Sequence, residues 1–157
     1  MKVLFVCTGN TCRSCMARVI AERELARAGL GGVEVLSAGT FAVSGRPASE
    51  NALAVMEEMG MDLKGHRSSA LDKKLIEESR LVLTMTARHR QTILSICPGA
   101  AAKVFTLAEY AGAAGDVPDP FGGGPDIYRR VADQMEGMIR LAVDRLAKEK
   151  NTGDSRS

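Results

Sequence analysis

Near its start the chain passes from an extended apolar run to a helical pattern with only a short polar loop between them. Lys2-Val3-Leu4-Phe5-Val6 is apolar at successive positions rather than alternate ones, as a strand buried on both faces must be. From Ser14 to about Ala28 the pattern turns helical. Met16, Val19 and Ile20 share one face, Arg18, Glu22 and Arg23 lie mostly off it, and Gly29 can close the helix. The alternation then continues. Val33–Ser37 reads as a strand, Ala48–Met59 as a helix stopped by Gly60, and Leu71–Glu78 as a short helix. Arg80–Thr84 is a third strand, Ala87–Leu94 a helix and Lys103–Phe105 a brief fourth strand. A Gly-, Asp- and Pro-rich loop fills 111–125, and a last helix over Asp126–Lys148 carries Ile127, Val131, Met135, Met138 and Ala142 at helical spacing. Met56 and Met59 read as core filler. Strands alternating with helices predict an α/β fold with a parallel sheet covered on both faces.

The length of 157 residues fits one domain, expected over 1–150, with a polar tail over 151–157 expected to be disordered. A formal charge of +2 is too small, and the Lys/Arg residues too dispersed, for a nucleic-acid surface. No segment reaches the ~20 apolar residues that cross a bilayer, and the run before Cys7 is too short for a secretory signal. A cytoplasmic protein is therefore expected, in which Cys7, Cys12, Cys15 and Cys97 stay reduced. Thiols there are buried, catalytic, redox-sensing or metal-bound.

Cys7-Thr8-Gly9-Asn10-Thr11-Cys12-Arg13-Ser14 lies between the first strand and the first helix. The bare spacing from Cys7 to Arg13 is a weak signal. Its place, at a strand's C-terminal end and a helix's N-terminus, is where ligands bind in open α/β sheets. Backbone N–H groups of such a loop can converge on three phosphoryl oxygens, aided by the helix dipole. Gly9 is expected to permit a backbone shape that a Cβ would hinder. Arg13 can hold two oxygens with its planar fork and stabilise transition-state charge. The same field favours the reactive thiolate of Cys7, which would split hydrolysis into formation and breakdown of a phosphocysteine. A buried structural thiol is the bland alternative for Cys7.

These residues, preceded by Val6, resemble the signature of low-molecular-weight protein tyrosine phosphatases. Ser37-Ala38-Gly39, His66-Arg67-Ser68, Leu81-Val82-Leu83-Thr84-Met85 and Asp119-Pro120 match further family motifs in the family's order, so the resemblance spans the chain to about Lys148. It implies a four-stranded parallel sheet with helices on both faces, and hydrolysis without a metal or other cofactor. It also implies that Asn10, Ser14, Ser37 and His66 form the hydrogen-bond network that shapes the loop. Without the family, each of those four is a polar residue near an element end, where capping is the default.

Asp119 sits between two prolines in Gly115-Asp116-Val117-Pro118-Asp119-Pro120-Phe121-Gly122-Gly123-Gly124, as a carboxylate held on a functional loop would. The resemblance makes it the general acid for the leaving group and then the base for water. Asp116 reads as a turn residue. Tyrosine-directed members tend to have an apolar residue at the position of Thr11 and aromatic side chains after the Asp-Pro pair. Here Thr11 is polar, Phe121 precedes three glycines, and Thr86 stands where an Asp often follows the Met. Those departures resemble the protein arginine phosphatase branch, whose substrates are phosphorylated proteins. A guanidinium needs polar partners once desolvated. A guanidine is far more basic than a phenolate, whose conjugate acid has a pKa of about 10, so leaving-group protonation matters more.

Three other readings stay open. Phosphotyrosine is the second choice of substrate. Cys12-Arg13-Ser14-Cys15 is a C-x-x-C at a helix N-terminus, and arsenate reductases related to this fold relay oxidation from a loop Cys to distal cysteines. Here only Cys97 lies outside the loop region, and it reads as structural. Peroxide could also join Cys7 to Cys12, with Cys15, which replaces the family's usual Pro, as a rival. Zinc is a poor reading, because three clustered thiols lack a fourth ligand at the usual spacing. His89, between Arg88 and Arg90, reads as part of a solvated helix face.

Overall fold

The computed structural model describes residues 1–154. Strands β1 (Lys2–Cys7), β2 (Glu34–Gly39), β3 (Leu81–Thr84) and β4 (Val104–Thr106) form one parallel sheet in the order β2-β1-β3-β4. Cys7 pairs with Gly39 on one side, and Val6 with Thr84 on the other. The chain moves outward from β1 to β2, then crosses back over β1 to reach β3. The order therefore reverses between β1 and β3, and the crevice beyond their C-terminal ends is the switch point where ligands bind in such sheets. The cysteine loop leaves β1 at that crevice.

Side chains alternate across a strand, so β1 feeds both cores. Val3, Phe5 and Cys7 enter the larger one. There they join Met16 and Ile20 of α1 (Arg13–Arg27), Met56 of α2 (Glu50–Glu58), Leu107 of α5 (Leu107–Ala111), and Met135 and Ile139 of α6 (Pro125–Asp154). Leu4 and Val6 enter the smaller one with Ile76 of α3 (Lys73–Glu78), Ile93 of α4 (Ala87–Ile96) and Ala100 of a 3-10 segment, Pro98–Lys103. Phe5 is 2% exposed, and truncating it to Ala would cost about 3–5 kcal/mol. Met56 is fully buried and Met59 packs at the edge of the same core, as expected of filler.

Caps set the helix boundaries. Ser49 accepts from the amide of Ala52, so α2 begins at Glu50 rather than Ala48. Asp72 accepts from the amide of Leu75, which starts α3 at Lys73 rather than Leu71. The sequence reading assigns nothing to α5, yet Thr106 and Glu109 form a reciprocal capping box there, a signal present in the spacing. Ile127, placed on the core stripe of the last helix, is instead exposed and lies against Gly123. The same helix continues past Lys148 to Asp154, so residues 151–154 are helical rather than a disordered tail. Residues 155–157 lie outside the described ones. Among the described residues no helix is long and apolar enough to cross a membrane.

Candidate active site

Cys7 ends β1 as its last buried position, 3% exposed. Two donors face its sulfur: the Asn10 amide at 3.3 Å and the Ser14 hydroxyl at 2.9 Å. Ser14 already accepts from the Asn10 side-chain amide at 2.7 Å. Its own proton can go to Cys7 or to the Ala38 carbonyl, 3.4 Å away. The nearer acceptor is the sulfur, and a thiolate is the stronger one.

The loop turns sharply at Asn10, the one non-glycine residue at positive φ among those described, at 58°. That conformation costs a side chain on the order of 1–3 kcal/mol and must be held from outside. Asn10 is held at three points. Its side chain donates to Ser14, its Oδ1 accepts from the Ser69 amide at 2.9 Å, and its carbonyl accepts from His66 Nε2 at 2.7 Å. A carbonyl only accepts, so the His66 proton is on Nε2. Burial lowers the pKa of His66, with Arg18 and Arg67 adding to the effect against the bond to Asn10.

Two expectations need correction here. Ser37 does not join this network, and the Ser69 amide and Ala38 carbonyl supply the contacts instead. Ser37 shares a sheet face with Phe5 and Cys7, yet the groups within hydrogen-bond reach of the loop are backbone ones. The strained position is Asn10 rather than Gly9, whose added Cβ would meet only Thr11 Oγ1 at 3.8 Å. Gly39 is the glycine that packing demands, since a Cβ there would lie 2.3 Å from the Thr8 carbonyl.

Arg13 opens α1 and is 5% exposed. Its Nη1 donates to the Val117 carbonyl at 2.9 Å, and its Nη2 lies 3.8 Å from Asp119 Oδ2. Val117 is itself anchored, because its amide donates to the Met85 carbonyl beyond β3. Asp116 accepts from the Ala87 amide and so pins the same loop to the start of α4, more than a free turn residue would. Asp119 remains open to solvent, its side chain 54% exposed, and its Oδ1 accepts from the Phe121 amide. Phe121 is 81% exposed. The loop from Cys7 to Arg13, together with Asp119 and Phe121, lines an open cavity of about 270 Å³. It has a thiol at the floor, a guanidinium at the wall and a carboxyl at the mouth.

The four cysteines are all free thiols. Cys12 is buried, with its sulfur 3.2 Å from the Tyr128 hydroxyl and 3.5 Å from Ser49 Oγ. Cys15 is fully buried, and that burial, with Cys7 and Cys12 nearby, pushes its thiol well above the ordinary value. Cys97 packs against the smaller core, across the sheet from Cys7. Among the described residues no three His, Cys, Asp or Glu side chains gather as a metal site. His89 is the residue that sequence reasoning missed. It is buried under Thr8 rather than solvated. The amphipathic pattern of a short helix flanked by arginines carried no sign of this.

A sequence profile described as low molecular weight phosphotyrosine protein phosphatase matches residues 2–152. The chain belongs to that family of phosphatases. Two similar family members are called protein-arginine-phosphatase. That of Geobacillus stearothermophilus is 45% identical, over 96% of this chain and 97% of its own length. That of Bacillus subtilis (strain 168) is 44% identical, over 96% and 99%. A similar solved structure is the C7S mutant of the YwlE arginine phosphatase with a phosphorylated active-site serine. It has a TM-score of 0.91 and 43% identity, over 96% of this chain and 99% of that one. The parallel sheet flanked by helices on both faces is thus the family's fold.

Proposed function

We propose that this phosphatase hydrolyses phosphoarginine on proteins through a phosphocysteine on Cys7. The loop amides and Arg13 hold the phosphoryl oxygens while the Cys7 thiolate attacks phosphorus. The P–N bond breaks, and Asp119 gives its proton to the departing guanidine nitrogen. Water then attacks the phosphocysteine, Asp119 takes the proton, and phosphate leaves as the thiolate is restored. The relative whose active-site serine carries a phosphoryl group supports a covalent intermediate at this position. Asn10, Ser14 and His66 act by fixing the loop's shape.

The observation that carries the substrate choice is the composition of the cavity mouth. Thr11 lines it with a hydroxyl, and Phe121 stands exposed with glycines after it rather than a second ring. Such a mouth cannot sandwich a phenyl ring, but it leaves the Asp119 carboxyl open to hydrogen-bond a guanidine leaving group. The names of the arginine-directed relatives agree with that choice. Paired kcat/KM values on a phosphoarginine protein and a phosphotyrosine peptide test it, and a preference for phosphotyrosine would overturn it.

Arsenate reduction by thiol relay lacks a path, because Cys97 lies across the sheet from Cys7. Peroxide, by contrast, can oxidise the Cys7 thiolate to a sulfenic acid, and attack by Cys12 would form a disulfide and release water. Cys15 is the weaker rival because its raised pKa keeps it a thiol. Peptide mapping after mild peroxide should find the Cys7–Cys12 bridge, and over-oxidised Cys7 without it would count against this protection. A cytoplasmic setting, which keeps these thiols reduced, fits the proposed chemistry.

A further inference from the structure

His89 lies in the first turn of α4, 5% exposed, and both ring nitrogens have hydroxyl partners. Nε2 is 2.8 Å from Thr8 Oγ1, in the cysteine loop. Nδ1 is 3.0 Å from Thr86 Oγ1, the residue that caps α4. Arg13, Asp116 and Asp119 all lie close enough to act on the charge of the ring. Burial and Arg13 outweigh the two carboxylates and hold the pKa down to about 4, so the ring is neutral at pH 7.

A neutral imidazole has one donor and one acceptor, so the direction of the chain can be assigned. Thr86 Oγ1 already accepts the backbone N–H of His89 at 3.2 Å. With the ring proton on Nδ1, Thr86 would accept twice, and its own proton would have no partner within the protein. With the proton on Nε2, the half-buried Thr86 is fully matched, and the one hydroxyl proton without a protein partner moves to exposed Thr8. The Thr86 hydroxyl donates to Nδ1, and Nε2–H donates to Thr8 Oγ1. The proton left over is that of the Thr8 hydroxyl, on an exposed residue that lines the cavity.

We propose that Thr86 and His89 form a relay that commits the Thr8 hydroxyl as a donor to a phosphoryl oxygen. Thr8 is then a side-chain ligand of the phosphate beside the backbone amides, and His89 is its positioning residue. The inference rests on reading the loop as a phosphoryl site. A donor oriented before substrate arrives needs no reorganisation as charge builds on the transferring group. It also accounts for Thr86 beyond β3: a hydroxyl can cap α4 and donate to the ring at once, whereas a carboxylate could only accept.

The test measures inhibition by inorganic phosphate, with p-nitrophenyl phosphate as reporter, in wild type, Thr8→Val, His89→Leu, His89→Gln and the Thr8→Val/His89→Leu double variant. Removing one hydrogen bond to a charged group should weaken phosphate about ten- to a hundredfold in Thr8→Val, and most of that in His89→Leu. The double variant should be no worse than Thr8→Val within about twofold, because the two residues act through one contact. His89→Gln, whose amide can donate from near the Nε2 position, should recover much of the loss. A purely structural His89 would instead give additive losses and no recovery with Gln. Nitrogen NMR of the wild-type ring at pH 7 should find the Nε2–H tautomer, so the assignment is read even if His89→Leu does not fold. An Nδ1–H tautomer, additivity, or variants that bind phosphate like wild type would overturn this inference alone. A wild-type protein that binds no phosphate would overturn the underlying phosphoryl-site reading as well.

Discussion

The loop of residues 7–13 and the loop of residues 115–124 face each other across the cavity, yet they are held very differently. On the first, Cys7, Asn10, Arg13 and the adjoining Ser14 are all buried, and Asn10 keeps a left-handed backbone through three outside contacts. On the second, Val117 is buried and tied to Arg13 and Met85, but Asp119 and Phe121 stand open to solvent. The contrast follows from what each side meets. A phosphoryl group is the same in every substrate, so its receptor can be fixed before binding. The leaving group is the variable part, and the side that meets it is open.

Breaking the fixed side should have the largest effect. Cys7→Ser should bring turnover down to background while phosphate still binds with near wild-type affinity by calorimetry, since the loop amides and Arg13 remain. Substantial residual turnover would end the covalent mechanism.

The open side should show its role in a substrate-dependent way. Asp119→Asn should lower kcat on phosphoarginine by about 10²–10⁴-fold, the usual worth of general acid–base help. The loss on p-nitrophenyl phosphate, whose leaving group needs little protonation, should be much smaller. Equal losses on both would argue that Asp119 is not the acid.

Thr11 sharpens the comparison, because it belongs to the fixed loop yet lines the same cavity as Asp119 and Phe121. Thr11→Ile should lower kcat/KM for phosphoarginine and raise it for phosphotyrosine, shifting their ratio by about 10–200-fold. A ratio that does not move, or two activities that fall together, would leave selectivity to the mouth around Phe121.

The smallest expected effect is on stability. Both His66 and His89, which touch the fixed loop, have pKa values below the ordinary one, His89 at about 4. The unfolded chain, with histidine near 6.5, then binds protons first as pH falls. Stability from these residues is complete above about 6.5 and is lost as pH drops toward 4. Melting curves from pH 8 to 4 should fall in that window, and His89→Gln should fall less. A flat wild-type profile there would mean that the two rings are not held neutral.

Several parts of this molecule could be read from residue order alone. The apolar run at 2–6, the helical period after Ser14 and the later alternation require a parallel sheet covered on both faces, because each pattern has to bury what it exposes. That Cys7, Arg13 and Asp119 meet at one cavity could be expected from residue type and from position at an element's end. The capping box at Thr106 and Glu109 was equally present in the spacing but went unread. Other features depend on partners far along the chain, and no local pattern carries them. That the fourth point of the loop network is the Ser69 amide rather than Ser37 follows from how residues 66–70 return past β2. That Asn10 and not Gly9 bears the strained backbone follows from its three outside contacts. His89 read as solvated because its own helix suggests it. It is buried because β3 lies next to β1, which brings α4 beneath Thr8. Hydrophobic period and residue chemistry act over a few positions and so are written in the sequence, whereas desolvation and hydrogen-bond partnership depend on which surfaces the sheet order brings together, and tertiary structure alone decided those.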